Sequence, residues 1–202
     1  MLDLIIKNGK CYIEGQLTKT NIGIQNGKIS LIGDLSNEQS KETIDAIDLI
    51  VLPGCMDTQV HFREPGSTNA EDLHTGSKAA IAGGITSVFE MPNTNPPTAN
   101  MKEFNNKLSL AKNRMYSNYA FYFGATPDNS SDLALLKGLD GCCGVKLFAG
   151  SSTGNLLVDK EEDIEKVFQN TSKIVAVHSE DEEIINLRKK LIEKGNVHTH
   201  PV

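Results

Sequence analysis

Hydrophobic and polar positions along the 202-residue chain change their rhythm once, near residue 51. Before that point the apolar runs are short. Residues 2–7, 21–25 and 28–32 read as strands, and 43–48 extend the pattern. Asn8-Gly9 and Asn26-Gly27 are hairpin signals, because both central residues of the favoured tight turn take positive φ. The spacing predicts a small antiparallel sheet over residues 1–50.

From residue 51 strand-like and helix-like periods alternate. A strand is predicted within 51–66, stopped by Pro65-Gly66, and others at 86–91, 117–123, 144–148 and 173–178. Between and after them, helical spacing runs over 70–82, 101–113, 131–137, 161–169 and 180–194, with Asn129, Ser130 or Ser131 as caps for the third. About five strand-then-helix units in succession predict the α/β class with a parallel sheet. That sheet is either an open doubly wound one or part of a (β/α)8, TIM-like barrel. Gln59, His61, Asn93, Lys146 and His178 all fall at or near the C-terminal ends of different strands. A barrel gathers those ends around one pocket, which favours the barrel. A full barrel takes roughly 250 residues. Residues 51–202 therefore read as the N-terminal part of a barrel, and the chain as the first part of a longer protein.

Composition narrows the class. The hydrophobic fraction is 39% and the mean hydropathy −0.28, values of a soluble globular protein. No apolar run is long enough to span a membrane, and the opening residues do not form a signal peptide, so a cytoplasmic location is expected. A net charge of −6 with no basic block argues against a nucleic-acid surface. Cys11, Cys55, Cys142 and Cys143 form no C-x-x-C pair, which removes zinc-ribbon and thioredoxin-type readings.

Candidate chemistry concentrates at strand ends. Asp57, Gln59, His61 and Arg63 recur at every second position and share one face of a strand. That face is either a solvated edge or a binding surface. In the second case His61 and Asp57 would serve a metal and its surroundings, and the planar fork of Arg63 would suit a carboxylate. Lys146 lies in the apolar run Val145-Lys146-Leu147-Phe148. It either snorkels to the sheet end or is buried, and a buried lysine is neutralised or modified. One such modification is reaction with carbon dioxide to a carbamate able to bridge two metals. The loop at 150–155 is rich in glycine and hydroxyls but lacks the ending of a P-loop. The rigid loop at 91–97 brings Asn93 near the strand ends.

Four segments together carry a resemblance. Gly54-Cys-Met-Asp-Thr-Gln-Val-His-Phe-Arg-Glu-Pro-Gly66, Glu90-Met-Pro-Asn-Thr-Asn-Pro96, residues 145–155 and Val177-His-Ser-Glu-Asp-Glu182 resemble the dihydroorotases of the amidohydrolase superfamily. The resemblance implies a zinc-dependent, reversible hydrolysis of L-dihydroorotate to N-carbamoyl-L-aspartate, a step of pyrimidine biosynthesis. It implies that His61 and His178 are zinc ligands, that Lys146 is a carbamylated lysine bridging two zinc ions, and that Arg63 and Asn93 bind the substrate carboxylate. It also makes residues 1–50 the N-terminal part of a small β-sandwich. The family's His-x-His pair has Gln59 at its first place here. An amide oxygen is a weaker zinc ligand than imidazole, so one firm zinc or a weakened pair is expected. The family's catalytic aspartate, a general base, is expected beyond Val202, which predicts little activity for this chain alone. Alternatives are an allantoinase- or hydantoinase-like cyclic amidohydrolase, and a non-catalytic homologue that assembles with aspartate transcarbamoylase. A homodimer is a further expectation. His200 lies in a His-Pro segment and receives no role.

Overall fold

Buried and exposed positions alternate over Gly9–Tyr12 in the first strand. Strand β1 (Leu2–Ile13) pairs antiparallel with β2 (Gln16–Gln25), which pairs with β3 (Lys28–Gly33). On its other side β1 pairs in parallel with β4 (Ser40–Asp45) and β5 (Ile50–Val51). The sheet order is β3-β2-β1-β4, with β5 beside β1. The expected antiparallel sheet is thus a mixed one, because the segment between β3 and β4 crosses to the far side of β1. Leu2, Ile5 and Leu35 form its small buried cluster.

The computed structural model describes residues 1–150 and 155–193. Two compact units divide it, Met1–Gly54 and Cys55–Val202. The expected loop residues 151–154, and His200, lie outside the described residues.

One hairpin signal marks a different feature. Asn8 has φ 65°, yet it sits inside β1, where the register to β2 shifts between Ile6 and Gly9. The Asn8 N–H donates to Asn21 Oδ1 at 3.0 Å, so the bulged residue keeps a partner without a turn. The turn lies instead at Glu14-Gly15, with φ 49° and 84°, closing the pair Ile13–Gln16. Asn26-Gly27, with φ 52° and 71°, makes the hairpin expected of it.

The second unit holds five parallel strands: β6 (Cys55–Val60), β7 (Ile85–Glu90), β8 (Asn118–Gly124), β9 (Cys142–Phe148) and β10 (Val175–His178). Their order is β10-β9-β8-β7-β6, each beside its neighbour in sequence. A doubly wound sheet reverses its strand order at a switch point. This order never reverses, so the sheet is a partial barrel. The helices are α1 (Leu73–Ala82), α2 (Met101–Ala111), α3 (Glu161–Asn170) and α4 (Glu182–Glu193), with a 3-10 helix at Ser130–Leu136. None of the described helices is long and apolar enough to cross a membrane.

Helices α1 to α3 cover one face of the sheet. Phe104 of α2, Phe121 and Phe123 of β8, Val145 and Leu147 of β9, and Val167 of α3 belong to one buried cluster. Alternate residues of each strand turn away from that core. Helix α1 starts at Leu73, after the segment begun at residue 70, because Asp72 caps it. Its carboxylate accepts the Thr75 N–H at 2.7 Å. The expected third helix is a 3-10 turn without a side-chain cap. Asn129 is occupied elsewhere: Oδ1 accepts the Thr126 N–H at 2.8 Å, and Nδ2 donates to the carbonyls of Ala99 and Gly124 at 2.9 Å each.

Candidate metal and substrate site

Strand alternation puts the candidate residues on the sheet face opposite the helices. In β9, Val145 and Leu147 enter the core, so Lys146 points the other way. Ala176 pairs with Lys146 and His178 with Phe148 in the parallel register, which places His178 on the same face. Gln59 lies in β6, which ends at Val60, so the expected strand face stops short of His61 and Arg63; past it Phe62 packs into the core and Glu64 is buried, while His61 and Arg63 alternate with them.

His61 Nδ1 lies 2.9 Å from Asn93 Oδ1. An amide oxygen only accepts, so Nδ1 carries the hydrogen and Nε2 keeps its lone pair. Burial lowers the His61 pKa. The Asn93 contact opposes this, and the charges of Arg63, Lys146 and His178 add to the lowering. The imidazole is held in its neutral form, the form that binds metals.

Lys146 is 3% exposed, and burial pushes its pKa below the ordinary lysine value. Its Nζ lies 5.1 Å from the Phe148 ring centroid. Among the described residues it has no hydrogen-bond acceptor or carboxylate partner. The His178 ring stands 6.1 Å from that of Phe148, and its Nε2 is 3.4 Å from Glu180 Oε2. Gln59 is exposed, and its backbone N–H donates to Asp57 Oδ1 at 2.9 Å. Asp57 therefore serves the local strand end. Among the described residues no three His, Cys, Asp or Glu side chains are grouped to hold a metal. The donors on this face are two imidazoles, an amide and a lysine unpaired among the described residues.

Arg63 and Asn93 line one pocket of about 220 Å³ with Pro65, Ser67, Thr94 and Asn95. The Asn95 N–H donates to the Pro65 carbonyl at 3.0 Å, tying the two loops together. Gly66 (φ 122°) allows this approach, since a Cβ there would lie 3.0 Å from Asn95 Cβ.

Sequence reasoning missed four charged residues behind this pocket. Glu64 and Glu90 are buried, and Lys107 is fully buried. Arg114 forks onto Glu64 with Nη1–Oε1 at 2.7 Å and Nη2–Oε2 at 3.1 Å. Lys107 Nζ lies 2.7 Å from Glu90 Oε2 in the core, at an angle that leaves neither Glu90 oxygen a well-formed hydrogen bond. The signal was available. Glu64 continues the core-facing series Val60, Phe62; Glu90 follows Val88 at the strand period; Lys107 follows Phe104 at the helix period.

Residues 50–202 match the model of the Amidohydrolase family. The chain is 38% identical over 201 residues to a dihydroorotase of Methanosarcina mazei, a match covering 98% of this chain and 43% of that protein. An allantoinase of Desulfitobacterium hafniense is 40% identical over 148 residues, covering 73% of this chain and 33% of that protein. Among solved structures, the L-hydantoinase (dihydropyrimidinase) from Arthrobacter aurescens superposes with a TM-score of 0.90 at 29% identity. It covers 98% of this chain and 45% of that one. The chain thus spans less than half the length of these relatives. The partial barrel, the strand-end histidines and the extent of the family match lead to one conclusion: the chain belongs to the amidohydrolase family.

Proposed function

We propose that the whole protein is a metal-dependent cyclic amidohydrolase with dihydroorotase activity, opening the ring amide of L-dihydroorotate to N-carbamoyl-L-aspartate and closing it in reverse. The observation that carries this reading is the shared pocket of Arg63 and Asn93, two residues beyond and hydrogen-bonded to His61, respectively. A guanidinium fork binds a carboxylate through two parallel hydrogen bonds. Dihydroorotate carries that carboxylate; allantoin and hydantoin do not.

The donor set fits zinc. His61 Nε2 and His178 supply imidazole nitrogens, and the desolvated Lys146 amine is suited to take up carbon dioxide as a carbamate. Gln59 would add at most a weak amide ligand. Zinc, when bound, supplies Lewis-acid polarisation and an activated water. The chain's own residues orient the reactants: Asn93 fixes the His61 tautomer, and Arg63 holds the carboxylate end of the ring.

Dihydroorotate, allantoin and hydantoin offered side by side test the reading. Preference for dihydroorotate, abolished in Arg63→Ala, is the expected result. The allantoinase likeness supports a second reading, a ring without a carboxylate. Preference for allantoin, with Arg63→Ala silent, would establish that reading and remove the first. Metal analysis of the purified protein is expected to find fewer than two tightly held zinc ions per chain, given Gln59 at the first ligand place.

A further inference from the structure

Two cations of helix α2 and the turn after it, Lys107 and Arg114, pair with the buried carboxylates Glu90 and Glu64, which the proposed chemistry does not use. Lys107 is fully buried, 2.7 Å from Glu90 at the end of β7, and its Nζ also donates to the Met91 carbonyl at 3.3 Å. Arg114 lies three residues past α2 and donates back to the Leu110 carbonyl at 3.0 Å while it forks onto Glu64. Glu64 Oε2 also accepts the Leu73 N–H at 3.0 Å.

Each carboxylate lies within three positions of a pocket residue. Glu64 follows Arg63, and Glu90 with the Lys107-bound Met91 carbonyl opens the loop that presents Asn93. Apolar side chains of similar volume would fill these places at no electrostatic cost. What a bidentate or buried ion pair adds is a fixed direction. The two loops are also tied to each other, through Asn95 N–H to Pro65 O and His61 to Asn93.

We propose that α2 is a brace. Its two ion pairs, Glu64–Arg114 and Glu90–Lys107, make these four side chains positioning residues that set Arg63 and Asn93 for recognition of the substrate carboxylate. The inference rests on the dihydroorotase reading.

Two rings that differ only in the carboxylate, L-dihydroorotate and dihydrouracil, serve as probes in titration calorimetry of the intact chain. Wild type is expected to prefer dihydroorotate, and Arg63→Ala to lose that preference. Arg114→Gln is expected to weaken dihydroorotate binding about tenfold, with dihydrouracil unchanged. Arg114→Lys keeps the charge without the fork and is expected to recover part of the loss. The pair Lys107→Met with Glu90→Gln, which leaves no lone buried charge, is expected to show the same selective loss. Equal weakening of both rings, or a lowered melting temperature with binding intact, overturns the brace and leaves the substrate reading standing. A wild type that binds neither ring or both alike, or a silent Arg63→Ala, overturns the substrate reading and the brace with it. Should Arg114→Gln not fold, Glu64→Gln keeps an acceptor for the Leu73 N–H and is read in the same way.

Discussion

At the scale of the residue, Lys146 shows how environment decides chemistry. Its neighbours Val145 and Leu147 are fully buried in the core, and among the described residues its own ammonium finds no anion. Burial favours the neutral amine, which adds carbon dioxide and releases a proton to give a carbamate. Protein equilibrated with 13C-bicarbonate is expected to show a carbamate carbon resonance that Lys146→Ala lacks. Glu90 is the second case. Burial pushes its pKa up to about 7, against the opposing charge of Lys107. An acid raised from its ordinary 4.5 keeps a proton when folded that the unfolded chain has lost. The folded state then binds more protons across the window from 4.5 to about 7, so stability falls as pH rises through it. Burial lowers Lys107, which acts in the opposite sense at higher pH. Urea unfolding across that window is expected to show the decline, and Glu90→Gln to flatten it. The oddity of a lysine in an apolar run was legible in the chain. The Glu90–Lys107 pair was not, because its members lie on separate elements and only packing brings them together.

At the scale of the element, local signals were most reliable where a cap and a period coincide. Helix α2 begins after Asn100, whose Oδ1 accepts the Glu103 N–H at 2.9 Å, and it buries Phe104 and Ala111 on one side. Asn100→Ala is expected to cost about 1 kcal/mol, and Phe104→Ala roughly 3–5 kcal/mol, both measurable by urea unfolding. Signals failed where a residue's hydrogen bonds go to distant partners. Asn129 stitches together the backbone at Ala99, Gly124 and Thr126 and leaves the following turn uncapped. Asn8 adopts the conformation of a turn residue, but Asn21 from β2 satisfies its N–H and the strand continues. In both cases the residue type was read correctly as special, and the partner determined the outcome.

At the scale of the whole molecule, each unit has its own exposed feature. In the first, Ser30 of β3 is an extra residue opposite the Gly23–Ile24 step of β2, and the register shifts there. Ile29 and Ile32 then line one groove of about 280 Å³ with Ile6, Ile22 and Ile24. Ile29 is 62% and Ile32 52% exposed. Replacing both with Thr is expected to reduce binding of a hydrophobic dye while changing the unfolding free energy by no more than about 0.5 kcal/mol. In the second unit the unreversed strand order brings the ends of β6, β9 and β10 to one side. The sequence by itself determined the alternation of strand and helix, the change of rhythm near residue 51 and the unusual polar residues at strand ends, because periodicity and capping act over a few neighbouring residues. Tertiary structure alone decided the parallel pairing of β4, the bulge at Asn8, and the ion pairs that fasten α2 and the turn after it to two loops. Those depend on groups more than a dozen positions apart in the chain, whose meeting no local pattern encodes.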